Sequence, residues 1–214
     1  MLQLRMSSMG GCDRALVYEA LQVEGEPRTK ESELTLELGK VMEPVILKAQ
    51  GYEVEDPQIE LVLPVGKHRL VGHPEGRCGS LLLEVKTMAD YAWRQATKEL
   101  VINYYPQYGA QNGCYFAAWG YCDASRFILF NKNTSKIVEQ DFNYQEIMQH
   151  ARRAVRQAKR VFKYAEWGEL PEKPEGLKKW QCQAKYCKYH LCPHNEGNLA
   201  FVMKETEPTR RRAA

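Results

Sequence analysis

Two charged residues interrupt an apolar segment at a spacing that suits a hydrolytic metal site. Glu84 and Lys86 lie two residues apart in SLLLEVKT, a short and nearly continuous apolar run that is typical of a strand buried on both faces. Alternate side chains leave the same face of a strand, so this carboxylate and this ammonium group would lie side by side. Glu75, in the upstream segment GHPEG, could bring a second carboxylate from a paired strand.

This arrangement predicts a site for a divalent cation. The carboxylates of Glu75 and Glu84 and the main-chain carbonyl of Val85 would offer three oxygen ligands, which suit Mg²⁺. A water bound to such a cation can attack a phosphodiester, and Lys86 could orient or deprotonate that water. The alternative is a surface hairpin with an ordinary charge pair, because the Glu-x-Lys pattern occurs by chance in many chains.

Three of the seven cysteines, Cys182, Cys187 and Cys192, follow one another at C-x4-C-x4-C spacing. An odd number of cysteines in a chain with no secretory signal argues against a disulfide framework. Three thiolates need a fourth to complete a four-cysteine iron–sulfur site. Zinc is an alternative, with His190 and His194 as nitrogen ligands, although no close CxxC pair is present. Thiols without a metal are the third possibility.

A long amphipathic helix is predicted over residues 144–167, and it carries many cations on one face. Its apolar residues form the opposite stripe at helical spacing. The basic face is either an ordinary solvated surface or a surface that follows DNA phosphates, and Arg14 is a weaker candidate for the same role. The cations of the helix are Arg152, Arg153, Arg156, Lys159, Arg160 and Lys163.

Length and composition indicate one globular domain with a small addition. The 214 residues are 44% hydrophobic and 27% charged, and a formal net charge of +3 does not by itself indicate a nucleic-acid-binding protein. The mean hydropathy is −0.54, and no run approaches the ~18 apolar residues of a membrane span. The N-terminus lacks the pattern of a secretory signal, so we expect a cytoplasmic protein that does not associate with a membrane. No GxxxxGK[ST] loop is present, so the chain is not itself an ATP-driven helicase.

The order of the predicted elements favours an α/β core. Pro44 is expected to bend or divide the second helix. The order suggests one domain around a mixed sheet, then a Pro/Gly-rich linker, ELPEKPEG, and a small metal-held module. Helices are predicted over residues 13–24, 31–50, 90–102, 106–119 and 144–167, with short strands between about 52 and 87 and a hairpin in SRFILFNKNTSKIVEQDF.

Segments in this order resemble the motifs of the PD-(D/E)XK nuclease superfamily, in the RecB-type exonuclease branch that includes Cas4 and viral recombination exonucleases. GKVMEP, with Glu43 on a helix, is similar to the upstream acidic motif of the family. GHPEG is similar to its glycine–x–x–acid element, which holds Glu75, and LEVKT to its core motif, which holds Glu84 and Lys86.

The resemblance implies further roles for individual residues. The family usually has Asp at the position of Glu75, and the longer side chain suggests an adjusted metal geometry or a preference for Mn²⁺. Glu43 would reach the metal directly or through water, and His73 would lie next to the metal or the DNA. YPQYGAQNGCY resembles the family's helical Gln-x-x-x-Tyr motif. Gln111 and Tyr115 share one helix face and would orient the scissile region.

The N-terminal segment SSMGGCDRALVY resembles the S-(x)n-C-x-R element of Cas4-like proteins. In those relatives one N-terminal and three C-terminal cysteines bind a [4Fe–4S] cluster, which implies Cys12, Cys182, Cys187 and Cys192 as the ligands here. The C-terminal trio of the family is more often spaced C-x2-C-x5-C. A cluster at this place would fasten the C-terminus to the nuclease core.

The resemblance covers nearly the whole chain. It implies a restriction-endonuclease-like core, with a mixed central sheet flanked by helices, over residues 1–168. An iron–sulfur module over 169–203 would join the two chain ends, and 204–214 would form a disordered basic tail.

The implied activity is Mg²⁺- or Mn²⁺-dependent hydrolysis of DNA at free ends, in CRISPR adaptation or phage recombination. The implied partners are CRISPR adaptation proteins, a phage recombinase or helicase, or further copies of the chain. The alternatives are a sequence-tolerant endonuclease of the same superfamily and a non-catalytic iron–sulfur module that binds DNA.

Overall fold

The computed structural model describes residues 1–172, 182, 187–189 and 192. Most of the predicted module over 169–203 and all of the predicted tail over 204–214 therefore lie outside the described residues. No helix in the described part of the chain is both long and apolar enough to cross a membrane. The elements are β1 (Gln3–Arg5), α1 (Asp13–Ala20), α2 (Lys30–Ala49), β2 (Leu61–Val65), β3 (His68–Gly72), β4 (Gly76–Cys78), β5 (Leu81–Met88), α3 (Asp90–Lys98), α4 (Val101–Tyr104), α5 (Pro106–Trp119), β6 (Ala124–Asn131), β7 (Ile137–Asn143) and α6 (Tyr144–Trp167).

Most predicted helices agree with the structure. The predictions for α2, α5 and α6 are confirmed to within one residue at each end. The first predicted helix ends at Ala20 rather than residue 24. The helix predicted over 90–102 is wrong in its continuity, because α3 and α4 are separate helices.

Within the described residues the strands form two sheets rather than one. The larger sheet has the order β4-β5-β6-β7, in which β5 and β6 are parallel and the outer pairs are antiparallel. The smaller sheet has the order β1-β3-β2, in which β1 and β3 are parallel. Parallel strands need a long connection, and α3, α4 and α5 provide it between β5 and β6.

Strand β5 contributes to a hydrophobic core on each of its faces. Leu82 belongs to the main core, which contains residues of α5 and α6. Leu83 and Val85 belong to a second core with residues of α2. Because side chains alternate along a strand, Glu84 and Lys86 share the face of Leu82 and are directed toward α5.

Helix α2 is continuous, and only a short part of its apolar surface is buried. The Thr29 side chain accepts a hydrogen bond from the backbone amide of Ser32 at its start, and Pro44 lies inside the helix without dividing it. Its buried residues are Ile46 and Leu47. Four apolar side chains at helical spacing are exposed instead: Leu34, Leu38, Val41 and Val45.

Helices α5 and α6 approach closely because two glycines of α5 face α6. A Cβ atom at Gly109 would lie 2.5 Å from Nδ1 of His150, and one at Gly113 would lie 2.5 Å from the backbone nitrogen of Ala151. A side chain at either position would push apart the helix that carries Gln111 and the helix that carries the basic face.

Candidate functional site

Glu84 and Lys86 form an ion pair on β5, as the strand spacing predicts. Nζ of Lys86 lies 2.5 Å from Oε1 of Glu84, and the two side chains are 17% and 1% exposed. The other carboxylate oxygen, Oε2 of Glu84, is buried without a hydrogen-bond partner among the described residues. A buried polar atom without a partner is destabilising, and a bound cation is one way to satisfy it.

Glu75 and Glu43 bring two further carboxyl groups to this pair. Glu75 lies in the short connection between β3 and β4, where the two sheets meet, and Glu43 lies on α2. The two carboxyl groups share a hydrogen bond, and Nε2 of Gln58 donates to Oε2 of Glu75 at 2.9 Å.

This crowding of carboxylates raises their pKa values. Burial, then the charges of Glu84 and Glu43, raises the pKa of Glu75 to about 9. Burial also raises the pKa of Glu43 above its ordinary value. Without a cation, the pair therefore holds a proton near neutral pH. A divalent cation would favour the ionised form of both groups.

Lys86 remains positively charged in this environment. Burial alone would lower its pKa, but the charge of Glu84 and the hydrogen bond to it outweigh burial, so the pKa is raised. Nζ also donates to Oε1 of Gln111 at 3.3 Å and lies 4.8 Å from the ring centroid of Tyr108. A protonated lysine can orient a water or stabilise negative charge but cannot accept a proton. Without a bound cation, the raised pKa therefore favours the orienting role over deprotonation.

Gln111 and Tyr115 extend a series of hydrogen bonds that begins at Lys86. Nε2 of Gln111 donates to Oη of Tyr115 at 2.9 Å, and burial raises the pKa of Tyr115. The phenol therefore stays protonated. A continuous chain runs from Glu84 through Lys86 and Gln111 to Tyr115.

Both glycines of GHPEG are needed for this close packing. A Cβ atom at Gly72 would lie 2.5 Å from Cε1 of Tyr115. Gly76 has a φ of +134°, which favours glycine, and a Cβ atom there would lie 2.3 Å from Cγ1 of Val54. These glycines let the segment that carries Glu75 approach the rest of the site.

Two predicted site residues differ from the others in their surroundings. His73 is half exposed, and its Nε2 lies 3.9 Å from Oε2 of Glu60, outside the hydrogen-bonded carboxylate set. The side chain of Val85 is buried in the core against α2, which leaves its main-chain carbonyl as the group that could act.

Sequence reasoning missed Gln58, and it treated Tyr108 as a candidate for base stacking without placing it beside Lys86. Gln58 reaches Glu75 from a turn 17 residues earlier in the chain, and no spacing signal points to it. Tyr108 precedes Gln111 by three residues on the same helix, so the i, i+3 rule could have placed it beside the site.

The acidic set suits a cation that is held partly by water. Within the described residues, no group of three or more His, Cys, Asp or Glu side chains is arranged to hold a metal ion by itself. Mg²⁺ needs only one or two protein carboxylates and completes its coordination with water and substrate phosphates. The unpartnered oxygen of Glu84 and the proton-sharing pair of Glu75 and Glu43 fit such a cation.

The thiols of Cys12, Cys182 and Cys192 are close enough to that of Cys187 to influence it electrostatically, although no three of these cysteines are arranged to hold a metal ion in the described part of the chain. Cys12 immediately precedes α1. Burial raises the pKa of the Cys187 thiol, and the neighbouring thiols of Cys192, Cys12 and Cys182 raise it further. The two histidines of the zinc alternative lie outside the described residues.

The cations of α6 are exposed, and they divide into two groups. Arg153 and Arg160 line a cleft against α4 and α5, and Nε of Arg160 also donates to Oδ2 of Asp13 at 2.7 Å. Arg14 is not part of this face, because its guanidinium contacts the carbonyl of Pro171 and the sulfur of a C-terminal cysteine. The cations that do not line the cleft are Arg152, Arg156, Lys159 and Lys163.

Solved structures match this fold, although no family model and no curated protein sequence matches the chain. The crystal structure of SSO0001 matches with a TM-score of 0.59 and 18% identity, over 91% of this chain and 87% of that chain. The alkaline exonuclease LHK-Exo from Laribacter hongkongensis matches with a TM-score of 0.53 and 13% identity, over 77% of this chain and 90% of that one.

The chain has the α/β fold of this alkaline exonuclease. LHK-Exo in complex with dAMP matches equally well, with a TM-score of 0.52 and 14% identity, over 72% of this chain and 80% of that chain. At such low identities the likeness concerns the fold. The mixed α/β architecture with sheets flanked by helices, expected from the sequence, is confirmed at that level.

Proposed function

We propose that this chain is a metal-dependent deoxyribonuclease that hydrolyses DNA at free ends. The observation that carries the proposal is the buried carboxylate of Glu84, with one oxygen on Lys86 and the other without a partner. A structural core would place an apolar residue at this position of β5. Burying a carboxylate at this position lowers stability, so its presence there indicates a chemical role.

The acidic residues would hold the metal, and the neighbouring residues would handle substrate and water. Glu75 and Glu84, with the carbonyl of Val85, would hold Mg²⁺ or Mn²⁺, and Glu43 would complete the shell directly or through water. A cation bound there supplies an activated water and charge stabilisation for phosphodiester hydrolysis. Lys86 would orient the attacking water and stabilise charge that develops on the phosphate oxygens.

Gln111 would act through Lys86 rather than on the substrate. Its amide oxygen accepts from Nζ of Lys86 while its amide nitrogen is held by Tyr115. This arrangement restricts the direction in which the ammonium group points. Such supporting residues keep a reactive group within the narrow geometry that catalysis requires.

The shared fold supports a DNA substrate and action at ends. The solved structures with this fold include an alkaline exonuclease, which has also been solved with dAMP bound. Exonucleolytic action on this chain's own substrate rests on that likeness and on the motif resemblance. A CRISPR-adaptation or phage-recombination setting, with the corresponding protein partners, rests on the motif resemblance alone.

A cleavage time course tests the proposal. End-labelled linear single-stranded and duplex DNA would be incubated with anaerobically purified protein in Mg²⁺, Mn²⁺ or EDTA. We expect loss of full-length DNA with either metal and none in EDTA. Lys86→Ala should lower the rate by about 10²–10³-fold, the usual effect of removing one charge-stabilising group, whereas Lys98→Ala, an exposed lysine on α3, should not change it.

A closed circular substrate separates the alternatives. An exonuclease leaves it intact, and a sequence-tolerant endonuclease of the same superfamily cuts it. A folded, metal-supplied protein that binds DNA but cleaves neither form would contradict the catalytic proposal and favour the non-catalytic module.

The gathered cysteines support a [4Fe–4S] cluster bound by Cys12, Cys182, Cys187 and Cys192. Three cysteines from one chain end lie near one from the other, which is the donor set that such a cluster needs. Cys187→Ala should lose bound iron and lower the melting temperature, while Cys78→Ala should do neither. Stoichiometric zinc in the anaerobically purified protein would favour the zinc alternative.

A further inference from the structure

A polar cleft lies on a different side of α5 from the carboxylate site. It has a volume of about 600 Å³ and is bounded by α4, α5, α6 and the loop that precedes α1. Pro106 and Ala110 of α5 line it, whereas Gln111 and Tyr115 leave a different side of the same helix, because 3.6 residues per turn place consecutive side chains about 100° apart. The cleft and Lys86 therefore lie on different sides of one helix.

The polar side chains that line the cleft can all donate hydrogen bonds, and no carboxylate lines it among the described residues. The positive end of the α5 dipole borders it, because α5 begins at Pro106. These donors and the absence of an acidic side chain from the described lining suit an anion and disfavour a cation. Its polar side chains are Asn103, Gln149, His150, Arg153, Gln157 and Arg160.

Two of these side chains form a fixed wall. Oε1 of Gln157 accepts from the backbone amide of Gly10 at 2.8 Å, and its Nε2 donates to Oδ1 of Asp13 at the same distance. Arg160 donates to the other oxygen of Asp13. Asp13 thus neutralises Arg160 in part and holds the N-terminal loop in place as one side of the cleft.

The remaining donors are available to a ligand. In the described part of the chain, the side chains of Arg153, Asn103 and Gln149 make no hydrogen bond or ion pair. Burial, and then the charge of Arg153, lowers the pKa of His150, so its neutral ring can donate one hydrogen bond. A fully charged guanidinium beside three neutral donors is a combination that binds phosphate.

We propose that the cleft binds a phosphodiester group of the DNA strand whose end lies in the carboxylate site, with Arg153 as its main contact. The inference rests on the proposed nuclease function and deepens it by locating a second contact with the strand. Pro106 begins α5 and lines the cleft. The helix is about 10–12 Å across with its side chains, so a strand that passes its N-terminal end would reach both places within a few nucleotides. Arg153 would hold the strand in register while its end is cut.

The salt dependence of DNA binding tests this contact. A fluorescent single-stranded oligonucleotide would be titrated in EDTA, which prevents cleavage, at several salt concentrations. Each phosphate contact adds about 0.7 to the slope of log K against log salt concentration for single strands. We expect Arg153→Gln to reduce that slope by about 0.7 and to weaken binding several-fold for every sequence tested. Arg152→Gln, which removes the same charge one position away and outside the cleft, should change the slope by less than half as much.

The outcomes separate this inference from the proposed function. Equal slopes for the two variants, with a wild-type protein that cleaves DNA, would overturn the cleft assignment and leave the nuclease proposal intact. A wild-type protein that binds no oligonucleotide in EDTA would overturn the cleft assignment, and the nuclease proposal would fall with it only if the protein also cleaves no DNA in Mg²⁺ or Mn²⁺. If only inorganic phosphate raises the melting temperature, and Arg153→Gln removes that effect, the cleft binds small phosphate compounds and the strand assignment is wrong.

Discussion

At the scale of single residues, the candidate site buries charged side chains, and each needs a partner that offsets the loss of solvation. Glu84 is 1% exposed, and an ionised carboxylate is strongly destabilised at such a position unless it is paired. Lys86 donates a hydrogen bond to only one of the two carboxylate oxygens of Glu84. Removing one partner of a buried ion pair typically costs about 3–5 kcal/mol, so a variant at Lys86 changes stability as well as activity. Neighbours of the pair are therefore cleaner probes of mechanism.

Gln111→Leu is such a probe. It keeps the side-chain volume but removes the acceptor for Lys86 and the donor to Tyr115. We expect kcat to fall about 10–100-fold, the usual effect of losing a supporting contact, with KM little changed. Steady-state kinetics and thermal melting would measure this beside Gln145→Leu, an exposed control on α6. Activity equal to that of the control would show that Lys86 needs no such support.

The raised pKa of Glu75 predicts how stability depends on pH in the metal-free protein. A carboxyl group whose pKa is about 9 when folded and about 4.3 when unfolded binds its proton more tightly in the folded state. Its contribution to stability is present below about pH 4.3 and is lost as the pH rises toward about 9. The melting temperature in EDTA should fall across this range.

Two comparisons check that pH dependence. Glu75→Gln has no carboxyl group to ionise, so its melting temperature should vary less with pH, and Mn²⁺ should raise the wild-type melting temperature most at the alkaline end. A wild-type melting temperature that rises steadily from pH 5 to pH 9 in EDTA would contradict the assignment.

The sequence predicted the meeting of the charged residues on β5 better than the residues that support them. Glu84 and Lys86 follow from strand spacing, and Gln111 from a motif resemblance. Gln58 and the two glycines of GHPEG act through contacts with residues distant in the chain. Such contacts depend on how the two sheets meet, which no local pattern encodes.

At the scale of elements, α2 shows what periodicity can and cannot predict. The apolar period predicted the helix to within one residue at each end. The face with the longest apolar series is nevertheless exposed, and the helix is held by Ile46 and Leu47 against β5. That shorter buried face also directs Glu43 toward the site. The spacing of apolar residues indicates that a segment is a helix. Which face of that helix is buried depends on the elements that pack against it.

Matched leucine variants of α2 test this orientation. Leu47→Ala should lower the free energy of unfolding by about 2–5 kcal/mol, as expected for a buried leucine. Leu38→Ala, on the exposed face, should change it by less than about 0.5 kcal/mol. Urea unfolding would measure both. Equal losses would show that the exposed face of α2 is covered in solution.

Strand pairing was harder to predict than the strands themselves. The sequence predicts the hairpin of β6 and β7, but it does not predict the division of the strands into two sheets. A period of two identifies the faces of a strand and says nothing about its neighbours. The three-residue β1 is too short to show a pattern, and its place is fixed by parallel pairing with β3, more than 60 residues away.

At the scale of the whole molecule, the N-terminal segment ties distant parts of the chain together. The backbone amide of Leu2 donates to Nδ1 of His68, whose Nε2 contacts Glu166 near the end of α6. Further along, Asp13 contacts α6 and Arg14 contacts the C-terminal segment. The two chain ends are therefore joined through side chains as well as through the proposed cluster.

Asp13→Ala tests how much this junction contributes to folding. Asp13 is 9% exposed and accepts from Gln157 and Arg160. Hydrogen bonds to a charged group contribute about 1.5–3 kcal/mol, so we expect a loss of that size in the free energy of unfolding. Glu33→Ala, in the first turn of α2 and exposed, serves as the control. Unchanged stability of Asp13→Ala in denaturant unfolding would contradict this role.

The central claim is that the carboxylates around β5 form a divalent-cation site, and calorimetric titration of Mn²⁺ into metal-free protein tests it most directly. Two buffers of different ionisation enthalpy at pH 7.5 would report the protons released on binding. We expect saturable binding with release of about one proton from the Glu75–Glu43 pair, because metal ligands must be deprotonated. Glu84→Gln should abolish this binding. No saturable binding by the wild-type protein, or equal binding by Glu84→Gln, would contradict the account.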